Sequence, residues 1–149
     1  MSTKDELYAL ATSIYEHVKN DLARDGDVPT THILHQWDGK RMCIVESSDV
    51  DKDEMIAGLK LLAPAFKAVA SFYEVWAAPV REGVRPSANP DRWEAIVVLV
   101  QSKEGSWMLM SKFDRDEHGK PGSPTPPVMD WTDAGRCGIL EREPLVLYA

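Results

Sequence analysis

The chain has 149 residues, of which 44% are hydrophobic and 28% are charged, and its formal net charge at pH 7 is −7. This length and composition indicate one globular domain with a sizeable core and exclude a disordered or fibrous chain. The acidic charge argues against binding to nucleic-acid backbones or anionic membranes, and no apolar run is long enough for a membrane helix.

The first predicted element is a helix over residues 3–24. Thr3 and Glu6 form a capping box, and Gly26 is suited to end the helix in a left-handed conformation. Apolar residues recur between them at helical spacing, which indicates one buried stripe. The stripe consists of Leu7, Leu10, Ala11, Ile14, Val18 and Leu22.

A β-hairpin is predicted next, with strands at residues 31–37 and 40–46. Asp38 and Gly39 between them are a strong two-residue turn signal, because both positions tolerate a positive φ. Apolar residues occur on both faces of the second strand, so we expect the hairpin to be covered on both sides.

A second helix follows, with Ser48 or Asp51 as its cap. Pro64 interrupts its apolar pattern and is expected to kink or break it, because proline removes a backbone hydrogen bond. The predicted buried stripe consists of Met55, Ile56, Leu59, Leu62, Ala63 and Phe66.

The second half of the chain predicts three strands and an irregular tail. The strands lie at residues 72–78, 92–102 and 106–113, and a loop rich in turn residues covers 79–91. Residues 113–149 are expected to be partly irregular, with a proline-rich segment at 119–127 and a short strand at 128–131. The apolar residues 144–149 are expected to dock on the sheet.

The element order α-ββ-α-βββ predicts an α+β fold in a single domain over residues 1–149. We expect an antiparallel sheet of about five strands with helices packed on it. Roadblock-like and profilin-like domains share this element order, which is an analogy of fold and carries no function.

The sequence contains no recognisable catalytic or metal-binding motif. It has no phosphate-binding glycine loop and no nucleophile elbow. His32 and His35 are three apart on a strand, which places them on opposite faces. Residues 114–119 begin like a calcium loop, but Thr125 stands where that loop needs an acidic ligand. We therefore predict no catalytic residues, no metal and no cofactor.

The amino terminus and the cysteines predict a cytoplasmic location. Residues 1–6 contain no apolar signal region, and Cys43 and Cys137 form no pairing motif. We expect both cysteines to be reduced and inert, although Arg136 leaves the reactivity of Cys137 open.

The loop between the third and fourth strands is the strongest candidate for a binding site, because loops on a rigid scaffold often carry binding groups. The candidate binding residues are Trp76, Arg81, Arg85, Asp91, Arg92, Trp93 and Glu94. The alternative reading is a plain turn at residues 89–92 with Arg92 in a surface ion pair, since turn chemistry explains the Asn, Pro and Asp.

The candidate site contains Trp76, then a variable loop, then the run Asn89-Pro-Asp-Arg-Trp-Glu-Ala95, and an apolar strand follows. This pattern resembles a group of small uncharacterised bacterial and phage-borne proteins. The resemblance covers residues 72–113 and implies no activity. It implies that Trp76, Asp91, Arg92 and Glu94 are the first positions to inspect, and it leaves a phage origin open.

Two functions follow as hypotheses. The preferred one is a non-enzymatic acidic protein-interaction or regulatory module, such as a phage-borne modulator of a host protein, with a homodimer at the sheet edge as another arrangement. The alternative is a small-molecule-binding, anion-binding or hydrolytic domain, with loop 79–92 as a lid and Arg92 holding an anion. Five tryptophans favour at least one exposed aromatic anchor.

Overall fold

The computed structural model describes residues 3–36, 39–45, 51–62 and 66–133. It confirms the α+β class and the order α-ββ-α-βββ, with an open antiparallel sheet of six strands where about five were predicted. The elements are α1 Thr3–Asp25, β1 Thr31–His35, β2 Arg41–Val45, α2 Lys52–Leu62, β3 Ala68–Ala77, a 3-10 turn Pro86–Ala88, β4 Trp93–Gln101, β5 Gly105–Phe113 and β6 Val128–Asp133.

Several predictions fall on residues outside these ranges. They concern the turn residue Asp38, the cap at Ser48, the break at Pro64, the reactivity of Cys137 and the docking of residues 144–149.

Helix α1 forms as the sequence predicts. Asp5 and Glu6 occupy its first turn, where acidic groups interact favourably with the helix dipole. At the other end the Gly26 N–H donates to the Leu22 carbonyl at 2.9 Å, and Gly26 has a φ of 83°. The buried side chains of α1 are Leu7, Ala11, Ile14, Tyr15, Val18 and Leu22.

The sheet has the strand order β2-β1-β3-β4-β5-β6, and all neighbours are antiparallel. Strands β3 to β6 pair in chain order, and the β1–β2 hairpin joins them through β1. Strand β6 extends the short strand predicted at 128–131 to Asp133, and it pairs Trp131 directly with Trp107 of β5. Among the described strands, β2 and β6 therefore lie at the edges of the sheet.

The two faces of the sheet carry different cores. On the α1 face, helix α1 packs across β4 and β5 over a cluster that includes Ile96, Val98 and Leu109. On the opposite face, which we call the α2 face, Leu59 of α2 packs with Leu34 and other apolar residues of β1 and β3. Side chains from β3 and β4 form a further buried cluster on the α2 face, and Met108 and Met110 of β5 pack against it. Its buried members are Tyr73, Val75, Ala95 and Val97.

Two local expectations differ from the structure. Helix α2 ends at Leu62 and β3 already begins at Ala68, so Phe66 lies outside the helix although its side chain is buried against Leu59. The second strand of the hairpin is an exposed edge, since four of the five residues of β2 are exposed, so it is not covered on both sides.

Candidate functional site

The predicted loop site contains a stacked arginine. The Arg92 guanidinium carbon lies 4.4 Å from the ring centroid of Trp76, which is within the range of a cation–π contact. Arg92 Nη1 also donates to the carbonyl oxygen of Ser87 within the loop. Arg92 therefore holds the loop against β3, and it forms no ion pair with any residue that the structure describes, in contrast to the alternative prediction.

Asn89 fixes the shape of the same loop. Its side chain is buried, with 2% of its surface exposed. Its amide donates to the Pro79 carbonyl at 3.2 Å, and its side-chain oxygen accepts the Asp91 N–H at 2.9 Å. Such a side-chain turn is a usual role for asparagine, so turn chemistry accounts for this residue.

The remaining candidate residues of the loop site point to different surroundings. Trp93 packs with the buried cluster on the α2 face, while Glu94, the next residue, pairs with Arg115. Arg81 and Arg85 are exposed, and in the described chain their guanidinium groups form no ion pair. Asp91 is also exposed. The structure thus brings Trp76 and Arg92 together and does not gather the seven residues into one pocket.

Arg115 is the centre of an ionic cluster that the sequence analysis did not identify. Its Nε donates to Glu94 Oε2 at 2.9 Å, and its Nη2 lies 3.4 Å from Glu74 Oε2. Nη1 donates to the carbonyl oxygens of Gly26 at 2.8 Å and Gly119 at 3.0 Å. One guanidinium thereby joins the end of α1, β3, β4 and the loop after β5.

The environment of Glu74 raises its pKa above the ordinary value. Burial is the largest cause, because it disfavours the charged carboxylate, and the nearby Glu94 and Asp27 add to it. The hydrogen bond from the Val28 N–H, 2.6 Å long, and the charge of Arg115 act in the opposite direction. Both carboxylates of the cluster are held by Arg115, which is typical of a structural clamp.

We expect Glu74→Gln to flatten the pH dependence of stability in the weakly acidic range. The folded pKa of Glu74 lies above its unfolded value of about 4.3, so the folded state binds the proton more tightly. This contribution to stability is fully present below the unfolded pKa and is lost as the pH rises through the folded pKa. Urea unfolding at a series of pH values measures it, with the exposed Glu82→Gln as control. If the free energy of unfolding changes with pH equally in the wild type and in Glu74→Gln, the pKa of Glu74 is not raised in the folded state.

The two histidines of β1 lie on opposite faces of the sheet, as predicted. His32 Nδ1 lies 2.7 Å from the Ser71 hydroxyl, and both residues are buried. Burial, followed by the charges of Arg41 and Lys67, lowers the pKa of His35. Among the described residues, no three His, Cys, Asp or Glu side chains gather as metal ligands.

The β2 edge of the sheet exposes apolar side chains beside a groove. Val45 of β2 is 57% exposed on the α1 face of the sheet, whereas Met42 of β2 lies on the α2 face, and Met42 and Leu62 of α2 are 44% and 42% exposed. Next to them a cavity of about 260 Å³ opens between β2 and α2. We call it the edge groove, and its lining residues are Ile44, Glu54, Met55, Gly58, Leu59 and Leu62.

Strand β2 also has a free backbone rim. Within the described chain it pairs with β1 alone, so the outward N–H and C=O groups of Arg41–Val45 have no neighbouring strand. Such an edge can accept an additional strand. Cys43, in the middle of β2, is an exposed free thiol and can report on the occupancy of this edge.

None of the described helices is long and apolar enough to cross a membrane. No family model, no curated protein and no solved structure matches the chain.

Proposed function

We propose that this protein is a non-enzymatic, cytoplasmic interaction module that binds a partner protein along β2 and the edge groove. The observation that carries the proposal is the exposed apolar edge strand beside an apolar groove. Contiguous exposed apolar surface next to an unpaired strand is typical of a protein-binding site.

The proposed occupant is an extended segment of the partner. Its backbone pairs with the outer rim of β2, and main-chain hydrogen bonds supply affinity without sequence preference. Side chains alternate along a strand, so every second side chain points toward the α2 face. One apolar side chain then enters the edge groove between Ile44 and Leu62 and supplies specificity.

Charge favours a basic partner over a second copy of this chain. The net charge is −7, Glu54 lines the edge groove, and Asp53 is exposed in the same turn of α2. A homodimer brings two equally acidic chains together, whereas lysine or arginine residues flanking the apolar segment complement the charge. The proposed segment is therefore apolar at alternate positions and basic at its ends.

The loop at 79–92 supports its alternative function less well. An anion site there needs a free Arg92 fork, whereas Arg92 stacks on Trp76 and donates to the Ser87 carbonyl. Residues 72–113 resemble small bacterial and phage-borne proteins, and this resemblance is compatible with a host protein as the partner whose activity this chain modulates.

Two neighbouring leucines of α2 provide a matched test. Leu62 lines the edge groove, whereas Leu61 is 84% exposed and does not line it. We expect Leu62→Asp to weaken binding of short labelled peptides with alternating valines and flanking lysines by about ten-fold or more, because it places a carboxylate in an apolar site. Leu61→Asp should leave the affinity unchanged. Fluorescence anisotropy measures both affinities.

The accessibility of Cys43 gives a second readout on the wild-type protein. Peptide pairing along β2 should slow alkylation of the Cys43 thiol, which mass spectrometry follows at that peptide. The proposal is wrong if no such peptide binds, or if the two leucine variants lose affinity equally. A dimer in solution that Leu62→Asp dissociates would instead make a second copy the occupant and overturn the basic-segment proposal.

A further inference from the structure

At the β5–β6 edge, far from the edge groove in the strand order, two tryptophan rings hold a lysine ammonium. Lys4 Nζ lies 5.5 Å from the ring centroid of Trp107 and 5.3 Å from that of Trp131. The ring centroids of the two indoles are 5.4 Å apart, and their planes are tilted by 55°. The Tyr8 ring meets Trp107 edge-on, with 5.1 Å between the ring centroids. We call Tyr8, Trp107 and Trp131 the aromatic cage.

The cage is positioned by contacts that do not involve the lysine ammonium. Trp107 Nε1 donates to the backbone carbonyl of Lys4 at 2.9 Å, and Trp131 Nε1 donates to Asp133 Oδ1 at 2.9 Å. Trp107 and Trp131 are also direct partners across the β5–β6 ladder. The rings are therefore fixed by the backbone and by Asp133, and removal of the Lys4 side chain leaves these contacts in place.

Lys4 is a weakly held occupant of this cage. Its side chain is exposed, and among the described residues its ammonium makes no hydrogen bond or ion pair. A primary ammonium is strongly hydrated, and its contact with an aromatic face at an exposed site is weak. An alkylated ammonium carries the same charge with a much smaller cost of dehydration, and aromatic cages recognise such cations.

We propose that the aromatic cage is a binding site for alkylated ammonium cations, which displace the side chain of Lys4. The shared chemistry is the trimethylammonium group, carried either by a methylated lysine of a protein or by a small quaternary amine such as choline. The carboxylate of Asp133, hydrogen-bonded to Trp131, adds negative charge beside the cage. This site is independent of the proposed interaction at β2, because it lies at the opposite edge of the sheet.

Lys4→Ala tests the proposal without removing any part of the cage. We expect this variant to bind tetramethylammonium about five-fold more tightly than the wild type, because the competing ammonium is gone. Lys112→Ala is the matched control, since Lys112 Nζ lies 5.5 Å from the single ring of Trp93. NMR titration that follows the indole N–H signals measures the affinity and identifies the rings that respond.

Three probes distinguish the two sources of the cation from each other and distinguish cation binding from simple apolar binding. Choline represents the small-molecule source, and a peptide with one trimethyllysine represents the protein source. The neutral carbon isostere of choline is the control for apolar binding. Affinity for either cation in Lys4→Ala, with shifts at Trp107 and Trp131 and weaker binding of the isostere, supports the site. Equal affinities of Lys4→Ala and the wild type, or equal binding of the isostere, overturn it.

Discussion

Replacing Gly105 with alanine is expected to lower the free energy of unfolding by about 3 kcal/mol, since it combines backbone strain with a steric clash. Gly105 begins β5 with a φ of 153°, which L-residues rarely adopt. A Cβ atom there would lie 2.4 Å from Cζ2 of Trp131 and 2.5 Å from the Thr132 carbonyl oxygen. The backbone oxygen cannot move without breaking the β5–β6 ladder, so Trp131 and β6 must shift.

Gly58→Ala is the control for this substitution, and we expect it to have the opposite sign. Gly58 lies within α2, and a Cβ atom at that position meets nothing within 4 Å. Alanine has the higher helix propensity, so the variant should be more stable by up to about 1 kcal/mol. Urea denaturation followed by circular dichroism gives both values. Equal stability of Gly105→Ala and the wild type would show that β6 does not pack on Gly105 as described.

Arg115→Met is expected to lower the free energy of unfolding at neutral pH by about 3 kcal/mol, because it leaves two half-buried carboxylates without their cation. The side chains of Glu74 and Glu94 are only 23% and 19% exposed, so water cannot fully replace the guanidinium. The carbonyl oxygens of Gly26 and Gly119 lose a donor in the same variant.

The loss in Arg115→Met should become smaller in acid. Without the guanidinium, the pKa of Glu74 rises further, because the Arg115 charge acts to lower it, and protonation relieves the half-buried charge of Glu74 as the pH falls through that pKa. Unfolding by urea at neutral and at weakly acidic pH measures this recovery. Arg81→Met is the control, because Arg81 is exposed and has no ion pair among the described residues. If Arg115→Met lowers the free energy of unfolding by no more than Arg81→Met does, Arg115 does not act as a structural clamp.

Local patterns in the sequence predicted the elements well where one face of an element is buried. Helix α1 ends within one residue of its predicted boundary, because Gly26 is a local signal for the end of a helix. The start of β3 was misplaced because Phe66 continues the apolar spacing of α2, although the chain has already left the helix there. Its side chain still reaches the same cluster, so spacing alone did not distinguish the two conformations.

The Arg115 cluster and the aromatic cage could not be predicted from the sequence, because they form by contacts between residues far apart in the chain. Arg115 lies in a polar segment predicted to be irregular, and its partners Glu74 and Glu94 are on separate strands. Trp107 meets Trp131 only through the register of β5 and β6, and Lys4 joins them from the first turn of α1. No pattern along one element contains this information. By contrast, Trp76 and Arg92 were both predicted as binding residues, because they flank the same loop, and their side chains do stack.

The order of strands in the sheet has a consequence for how the chain folds during synthesis. Strands β3, β4 and β5 each pair with the next strand in the chain, so this part consists of local hairpins that close rapidly. Helix α1 is synthesised before β4 and β5, on which it packs, and β4 begins only at Trp93. We therefore expect the apolar stripe of α1 to remain unprotected on the nascent chain until β5 has emerged, which makes this helix the natural point of contact for a chaperone.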